Sequence, residues 1–506
     1  MTRDHQPSEP LPDEQVAEFG YKQEMERGTG KFASFAVAFG FVSIATGIFT
    51  AYGSVLNNSG PAGIWTWPIV VVGQLLVAFI FGSLCARIPV TGYSYQWTSR
   101  LANPLLGWIM GWISFMFLAV VVVAVDYTIP GTVLPVLLGY EATAVNTWLI
   151  TAVIIAVQAV LVSLSTPLTQ RVNNVAVTIQ LIGMIGLVAL LFAVGFFRNE
   201  LDWSKLVDTG SIPPEGYLSL GSWTKAGPWM LGFMLGAFTI VGFESAANLS
   251  EETHDPANTV PRSMAQAVLS LGAIGMLFLI AVTALIQDPV ELAKSGTPVA
   301  DVIKSVLGPV IGTALLVMVV VSIFSCGLVI TLSGARLVWA MARDKRFPGW
   351  QVLHTIHPTF GTPANATLFI AVIGELILAI FARSQNALFT LFSAATLLPA
   401  MIYFGTVLMY LFKRKSLPPS MGFTLGAWEM PVIVGALAWL AFELAIFRDA
   451  QFANCWKYVG AMLAIGAVYL GLFLARHGMK GLTMPDMHNI DAELDVDPAG
   501  AARSVP

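Results

Sequence analysis

Charged residues are scarce in this sequence: they make up 11% of its 506 residues, whereas apolar residues make up 56%. A water-soluble domain carries about a quarter charged residues. The shortage excludes an ordinary soluble fold and matches a bilayer, where each charge at a helix centre costs about 2.5–3.5 kcal/mol. The net charge of −4 and the absence of a basic arm give no sign of a nucleic-acid partner. Three cysteines, Cys85, Cys326 and Cys455, lie far apart in apolar sequence, which excludes a disulfide framework or a thiolate metal site. The six histidines fall in tails and loops. His254, His354 and His357 have no metal or triad partner at depth, so an enzyme is not indicated and no cofactor or metal is expected. The first thirty residues are polar, so no cleavable signal peptide is expected.

What the sequence does have is long apolar segments. About 20 apolar residues are needed to cross the hydrocarbon as a helix. Such segments run over 33–56, 64–87, 105–138, 146–165, 172–197, 228–249, 264–286, 309–340, 365–382, 387–412, 430–447 and 454–475. They predict an all-α integral membrane protein of about twelve transmembrane helices. The third exceeds 30 residues, so it must tilt or project beyond the bilayer. Lys and Arg favour both ends inside: Arg3, Lys22, Arg27 and Lys31, then Arg336, Arg343, Lys345 and Arg346, then Lys413, Arg414 and Lys415 all fall on one side. The expectation is a multi-pass protein of the cytoplasmic membrane. Residues 1–28 and 478–506 read as mostly disordered tails, although part of Phe19–Lys31 suits a short interfacial helix. Trp203, Tyr217 and Trp223 suit an outer interface.

Two spans carry an interruption. The first holds "SIATGIFTAYG" (Ser43–Gly53), and the sixth holds "TIVGFES" (Thr239–Ser245), followed by two more glutamates. Five spans separate them, as a five-plus-five inverted repeat requires. Paired interruptions at corresponding places point to a transporter's binding site. An unwound helix at mid-membrane frees backbone N–H and C=O groups that lipid cannot satisfy but a polar solute can. The expected divisions are a tail over 1–31, a first repeat over 32–198, an outer loop over 199–226, a second repeat over 227–413, two further spans over 414–476, and a tail over 477–506.

Several stretches resemble the amino acid–polyamine–organocation superfamily, which has the leucine-transporter fold. They are "GFESAANLSEETHDPANTVPRSM" (Gly242–Met264), "IPVTGYSYQWTSRLANPLLGWIMGW" (Ile88–Trp112) and "SGARLVWAMARDKRFP" (Ser333–Pro348). "FASFAVAFGFVSIATGIFTAYG" (Phe32–Gly53) and "AVDYTIP" (Ala124–Pro130) look most like the amino acid/choline permease branch, which includes γ-aminobutyrate carriers. The resemblance implies a secondary active transporter moving a small amine-bearing solute, such as a neutral amino acid, γ-aminobutyrate, choline or ethanolamine, by alternating access. It implies that backbone amides at Ala45, Thr46, Gly47 and Ile48 hold a carboxylate. It implies that carbonyls at Phe238, Thr239 and Ile240 hold an amine, that Gly242 gives the bend, and that the Phe238 ring covers the substrate. A polyamine or cationic amino acid antiporter, or a solute sensor with the same fold, are the alternatives.

The charges at depth are few. Asp126 suits a substrate amine, a coupled proton, or a structural carboxylate capped by Tyr127, Thr128 or another helix. The absence of a second charged cluster favours a small zwitterion or monocation over a dicarboxylate. Glu244 falls just past the sixth-span break, at a helix N-terminus. Glu251 and Glu252 are expected to be solvated or to pair with loop arginines such as Arg262 or Arg336. The resemblance places Gln180 where many proton-coupled relatives carry lysine. It places Ser325 and Cys326 near the hydroxyls of sodium-coupled ones. Proton coupling, sodium coupling and exchange therefore stay open, as does the oligomeric state.

Overall fold

The computed structural model describes residues 19–381 and 387–482. Twelve helices among them are long and apolar enough to span a membrane: Lys31–Ser59, Pro61–Arg87, Pro104–Leu138, Ala144–Leu164, Thr166–Phe197, Pro228–Glu252, Pro256–Ala284, Pro298–Arg343, Ala364–Phe381, Phe389–Ser416, Gly426–Ile446 and Ala450–His477. They are called spans one to twelve below. The described residues form no β-strand, only two isolated bridges. Five of the twelve begin with proline. A missing N–H costs nothing in the first helical turn, where that donor has no helical acceptor. Span eight is longer than its apolar core suggests, because helix continues through a kink at Gly308 (φ +77°) and Pro309. Span three absorbs its length in a wider turn over Ile129–Val133, at Pro130.

Spans one and six are each broken after 12 residues, at Lys31–Val42 and at Pro228–Thr239. Equal first halves, five spans apart, are what an inverted repeat produces. In span one the hinge is Ser43 (φ +32°), and helix resumes at Ile44. Ala45–Ile48 therefore form the first turn of the second half instead of the unwound segment. The polar Ser43 takes the hinge because its Oγ caps the new helix, accepting from the Thr46 amide at 3.4 Å. In span six the chain leaves the helix at Ile240 and turns at Gly242 (φ +86°), as the sequence suggests.

Residues 19–30 do not form the interfacial helix that their composition allows. They run as an extended strap across one end of the bundle, with Phe19, Tyr21, Met25 and Thr29 buried. This end is called the tail face; the opposite end, with the loop from 198 to 227, is the loop face. The strap binds several elements at once. Thr29 N–H donates to Glu252 O (2.9 Å), and Thr29 O accepts from His254 N–H (3.0 Å). Gln170 donates to Thr29 Oγ1 (2.6 Å), and Gln23 Nε2 donates to Glu251 O (2.7 Å). The Tyr21 hydroxyl donates to both Asp344 carboxylate oxygens, at 3.0 and 3.1 Å, while its ring lies 3.9 Å from the Arg343 guanidinium. Burial, and then the neighbouring Asp344, push the Tyr21 hydroxyl pKa up, which keeps it a donor. Hydrogen bonds to a charged group contribute about 1.5–3 kcal/mol. Tyr21→Phe, which keeps the ring and removes that donor, is expected to speed protease cleavage within residues 19–30 by roughly tenfold or more. Limited proteolysis of the reconstituted protein checks this; unchanged cleavage rates would show that the hydroxyl does not hold the strap.

Beneath the strap, two buried ion pairs close the tail face. Arg336 Nε meets Glu252 Oε1 at 3.0 Å, and Arg343 meets Glu251 through two bonds of 3.0 and 3.1 Å. Arg336 is thus the partner of Glu252. Glu251 takes Arg343, not Arg262 or Arg336, because Arg343 sits two helical turns further along the same face of span eight.

Candidate functional site

The two breaks meet at the centre of the bundle. Span one's second half packs along span six's first half, and the contact is close: a Cβ added to Gly47 would lie 2.0 Å from Thr239 Oγ1. A helix N-terminus, rich in free amides, thus stands beside a helix C-terminus, rich in free carbonyls. Their dipoles are opposite in sign, roughly half a charge each. The arrangement offers one positive and one negative backbone end within reach of one small molecule.

Around them, side chains from spans ten, eight, six and five bond to the broken segments. The Gly242 amide donates to the Tyr403 hydroxyl (3.0 Å), which in turn donates to Glu244 Oε2 (2.6 Å). Cys326 Sγ donates to Phe41 O at 2.9 Å, and Ser245 Oγ donates to Val37 O at 3.2 Å. Gln180 Nε2 reaches Ser43 Oγ at 3.3 Å. Phe238 stacks at a tilt on Phe392 of span ten, with ring centroids 4.6 Å apart.

The structure brings most of the sequence candidates to this place. Ala45, Thr46, Gly47 and Ile48 form the helix start, and Phe238, Thr239, Ile240 and Gly242 form the opposing end. Gln180 is at the hinge. Ser325 sits behind it, donating to Asn173 Oδ1 at 2.9 Å. Asp126 is buried too but is engaged elsewhere: its Oδ1 accepts from Gln158 of span four at 2.8 Å. All twelve candidates are buried, so a solute reaches the centre only when one face opens.

Four contributors were not anticipated. Ser43 carried a legible signal, a serine directly before a helical segment. Asn173 stands two turns before Gln180 on span five and is the residue that meets Ser325; the pattern "RVNNVAV" showed polarity there but not which side chain faces inward. Tyr403 and Gln158 lie within apolar spans among other scattered polar residues, and only packing reveals their partners.

Comparison with known proteins bears on the meaning of this geometry. A family model described as amino acid permease matches residues 30–468. The chain belongs to the amino acid permease family. This permease is 25% identical over 498 residues to "Amino-acid permease BAT1" of Arabidopsis thaliana, covering 92% of this chain and 95% of the relative. It is also 25% identical to the BAT1 homolog of Oryza sativa subsp. japonica, over 92% and 94% of the two chains. A third relative is the "GABA-specific permease" of Saccharomyces cerevisiae, 25% identical over 385 residues, covering 74% of this chain and 66% of that one. The permease is therefore a multi-span membrane transport protein and not an enzyme. The matched region contains both breaks and every candidate residue.

Proposed function

We propose that this permease carries a small zwitterion, a neutral amino acid or γ-aminobutyrate, across the membrane by alternating access. The observation that carries the reading is the apposition of the amide-bearing start at Ile44–Gly47 and the carbonyl-bearing end at Phe238–Ile240. A carboxylate suits the first and an ammonium suits the second. Choline and ethanolamine offer only the cationic half of that match. The relatives' printed names agree with the solute class. No lysine or arginine stands at the breaks to favour a dicarboxylate, and no acidic cluster stands there to favour a dication. The buried Glu252–Arg336 and Glu251–Arg343 pairs hold the tail face shut, so inward release requires them to part. The distribution of Lys and Arg supports a reading in which that face is cytoplasmic, and the same reading takes the membrane to be that of the cell.

The test is counterflow in proteoliposomes, with labelled neutral amino acids, γ-aminobutyrate, choline, ethanolamine, a polyamine and a dicarboxylate. The expected result is saturable exchange of one or more zwitterions, with the dicarboxylate and polyamine inert. Exchange confined to the polyamine would establish the antiporter alternative, and saturable binding without any exchange would establish a sensor.

A further inference from the structure

Two carboxyls at membrane depth are held in the same way, and neither is used by the transport reading above. Asp126 of span three accepts from Gln158 Nε2 at 2.8 Å, and Glu443 of span eleven accepts from Gln74 Nε2 at 3.3 Å. All four side chains are buried. None of the ion pairs among the described residues includes either carboxyl. In both pairs the second carboxyl oxygen and the glutamine carbonyl lack any hydrogen-bond partner: Asp126 Oδ2 with Gln158 Oε1, and Glu443 Oε1 with Gln74 Oε1. Each pair thus has surplus acceptors and one donor too few. A carboxylate is acceptor-only, but a carboxylic acid donates one O–H. A single proton on the free oxygen supplies the missing donor.

We infer that Asp126, paired with Gln158, is the site that binds and releases the coupled proton. This rests on the transport reading and adds its driving ion. Position separates Asp126 from its twin. Asp126 Oδ1 lies against Gly327 so tightly that a Cβ there would come within 2.2 Å of it. The preceding residue, Cys326, holds the Phe41 carbonyl two residues before the Ser43 hinge. Gln158 also donates to Phe324 O of span eight, at 3.1 Å. Two residues beyond Asp126, Thr128 Oγ1 lies 3.4 Å from Thr50 Oγ1 on the far side of the same hinge. A change of charge at Asp126 is therefore felt by the backbone on both sides of the first-span break. Glu443 lies on span eleven, outside the two five-span halves.

The titratable groups that bear on Asp126 are the Cys326 thiol of span eight and the Glu375 carboxyl of span nine; span four presents the neutral Gln158. Span ten packs on span three as well, but its Tyr403 is engaged by Glu244 and its Tyr410 by Glu429 and Ser83. Tyr95 of the connecting helix Tyr93–Leu101 is bound to Asp344. The step is a plain protonation: a proton from water on one side adds to carboxylate oxygen, and the same O–H bond breaks toward water on the other side. No oxidant or reductant is involved.

Asp126→Asn places an N–H donor where the acid O–H would be and cannot lose it. In proteoliposomes it is expected to exchange substrate at fixed pH with a KM within about threefold of wild type. It should lose accumulation driven by a pH gradient, which for one proton per substrate approaches tenfold per pH unit in the unaltered protein. Glu443→Gln is expected to retain that accumulation. A second variant, Gln158→Met, leaves the carboxyl and removes its amide partner; it should displace the pH midpoint of uptake. Gradient-driven accumulation by Asp126→Asn, loss of its exchange at every pH, or an unmoved midpoint in Gln158→Met would each overturn the inference. So would a wild-type protein that exchanges substrate but ignores the pH gradient, a result that leaves the transport reading intact.

Discussion

Uptake by Gly242→Ala is expected to fall by roughly a hundredfold at equal protein level. Gly242 turns span six at φ +86°, a conformation that costs other residues about 1–2 kcal/mol. A Cβ at this position would also lie 1.9 Å from the Phe41 ring of span one. Overpacking of that kind adds about 1–3 kcal/mol. Phe41 contributes the carbonyl held by Cys326, so displacing its ring disturbs both breaks. The initial rate of counterflow, normalised to reconstituted protein, measures the effect. Adding Phe41→Ala should relieve the collision but not the backbone strain, recovering about tenfold. A single Gly242→Ala variant with wild-type rates would show that the bend is not needed for transport.

Arg336→Ala is expected to be the most destabilising single change on the tail face. Arg336 is fully buried; it binds Glu252 at 3.0 Å and Thr166 Oγ1 at 2.6 Å. Removing one member of a buried pair leaves an uncompensated charge, which costs about 3–5 kcal/mol. The double variant Arg336→Met with Glu252→Gln removes both charges at similar volume, and should recover most of that loss. Thermal unfolding in detergent reports the stability. Transport gives a second view, because the double variant lacks the pair that closes this face and should leak substrate even where its stability is restored. Equal stability of Arg336→Ala and wild type would mean that the pair is not a lock.

The twelve spans were legible because hydrocarbon thickness sets a minimum apolar length that few other structures require. The sixth-span break was legible for a similarly direct reason: only glycine turns cheaply at positive φ, and Gly242 does so. The first-span break was misplaced. The resemblance set that break at Ala45–Ile48, but these residues are helical, the lack of a Cβ at Gly47 serves contact with Thr239, and the hinge is Ser43, whose hydroxyl caps the following helix. Glycine in a membrane helix has both uses, and sequence alone does not separate them. Asn173 and Gln180 lie seven residues apart on one face of span five, so pattern could not say which meets span eight. The strap was not legible, because residues 19–30 have no periodicity; a few side chains, Phe19, Tyr21 and Met25, fix it through contacts distant in sequence. Asp126 stood out as a charge at depth, but its partner Gln158 did not, since one glutamine in an apolar span has no distinguishing neighbour.

The central claim is that substrate sits between the two helix breaks, and protection of a thiol placed there tests it most directly. The native Cys85, Cys326 and Cys455 are first replaced by serine or alanine, with counterflow checked in that background. Thr46→Cys is then introduced at the start of the second half of span one, and alkylation is timed with and without saturating substrate in proteoliposomes. The account predicts that substrate slows modification at Thr46→Cys severalfold, while a control thiol at Ser54→Cys, two turns further along the same helix, is unaffected. Equal labelling of Thr46→Cys with and without a substrate that the same vesicles exchange would contradict the placement.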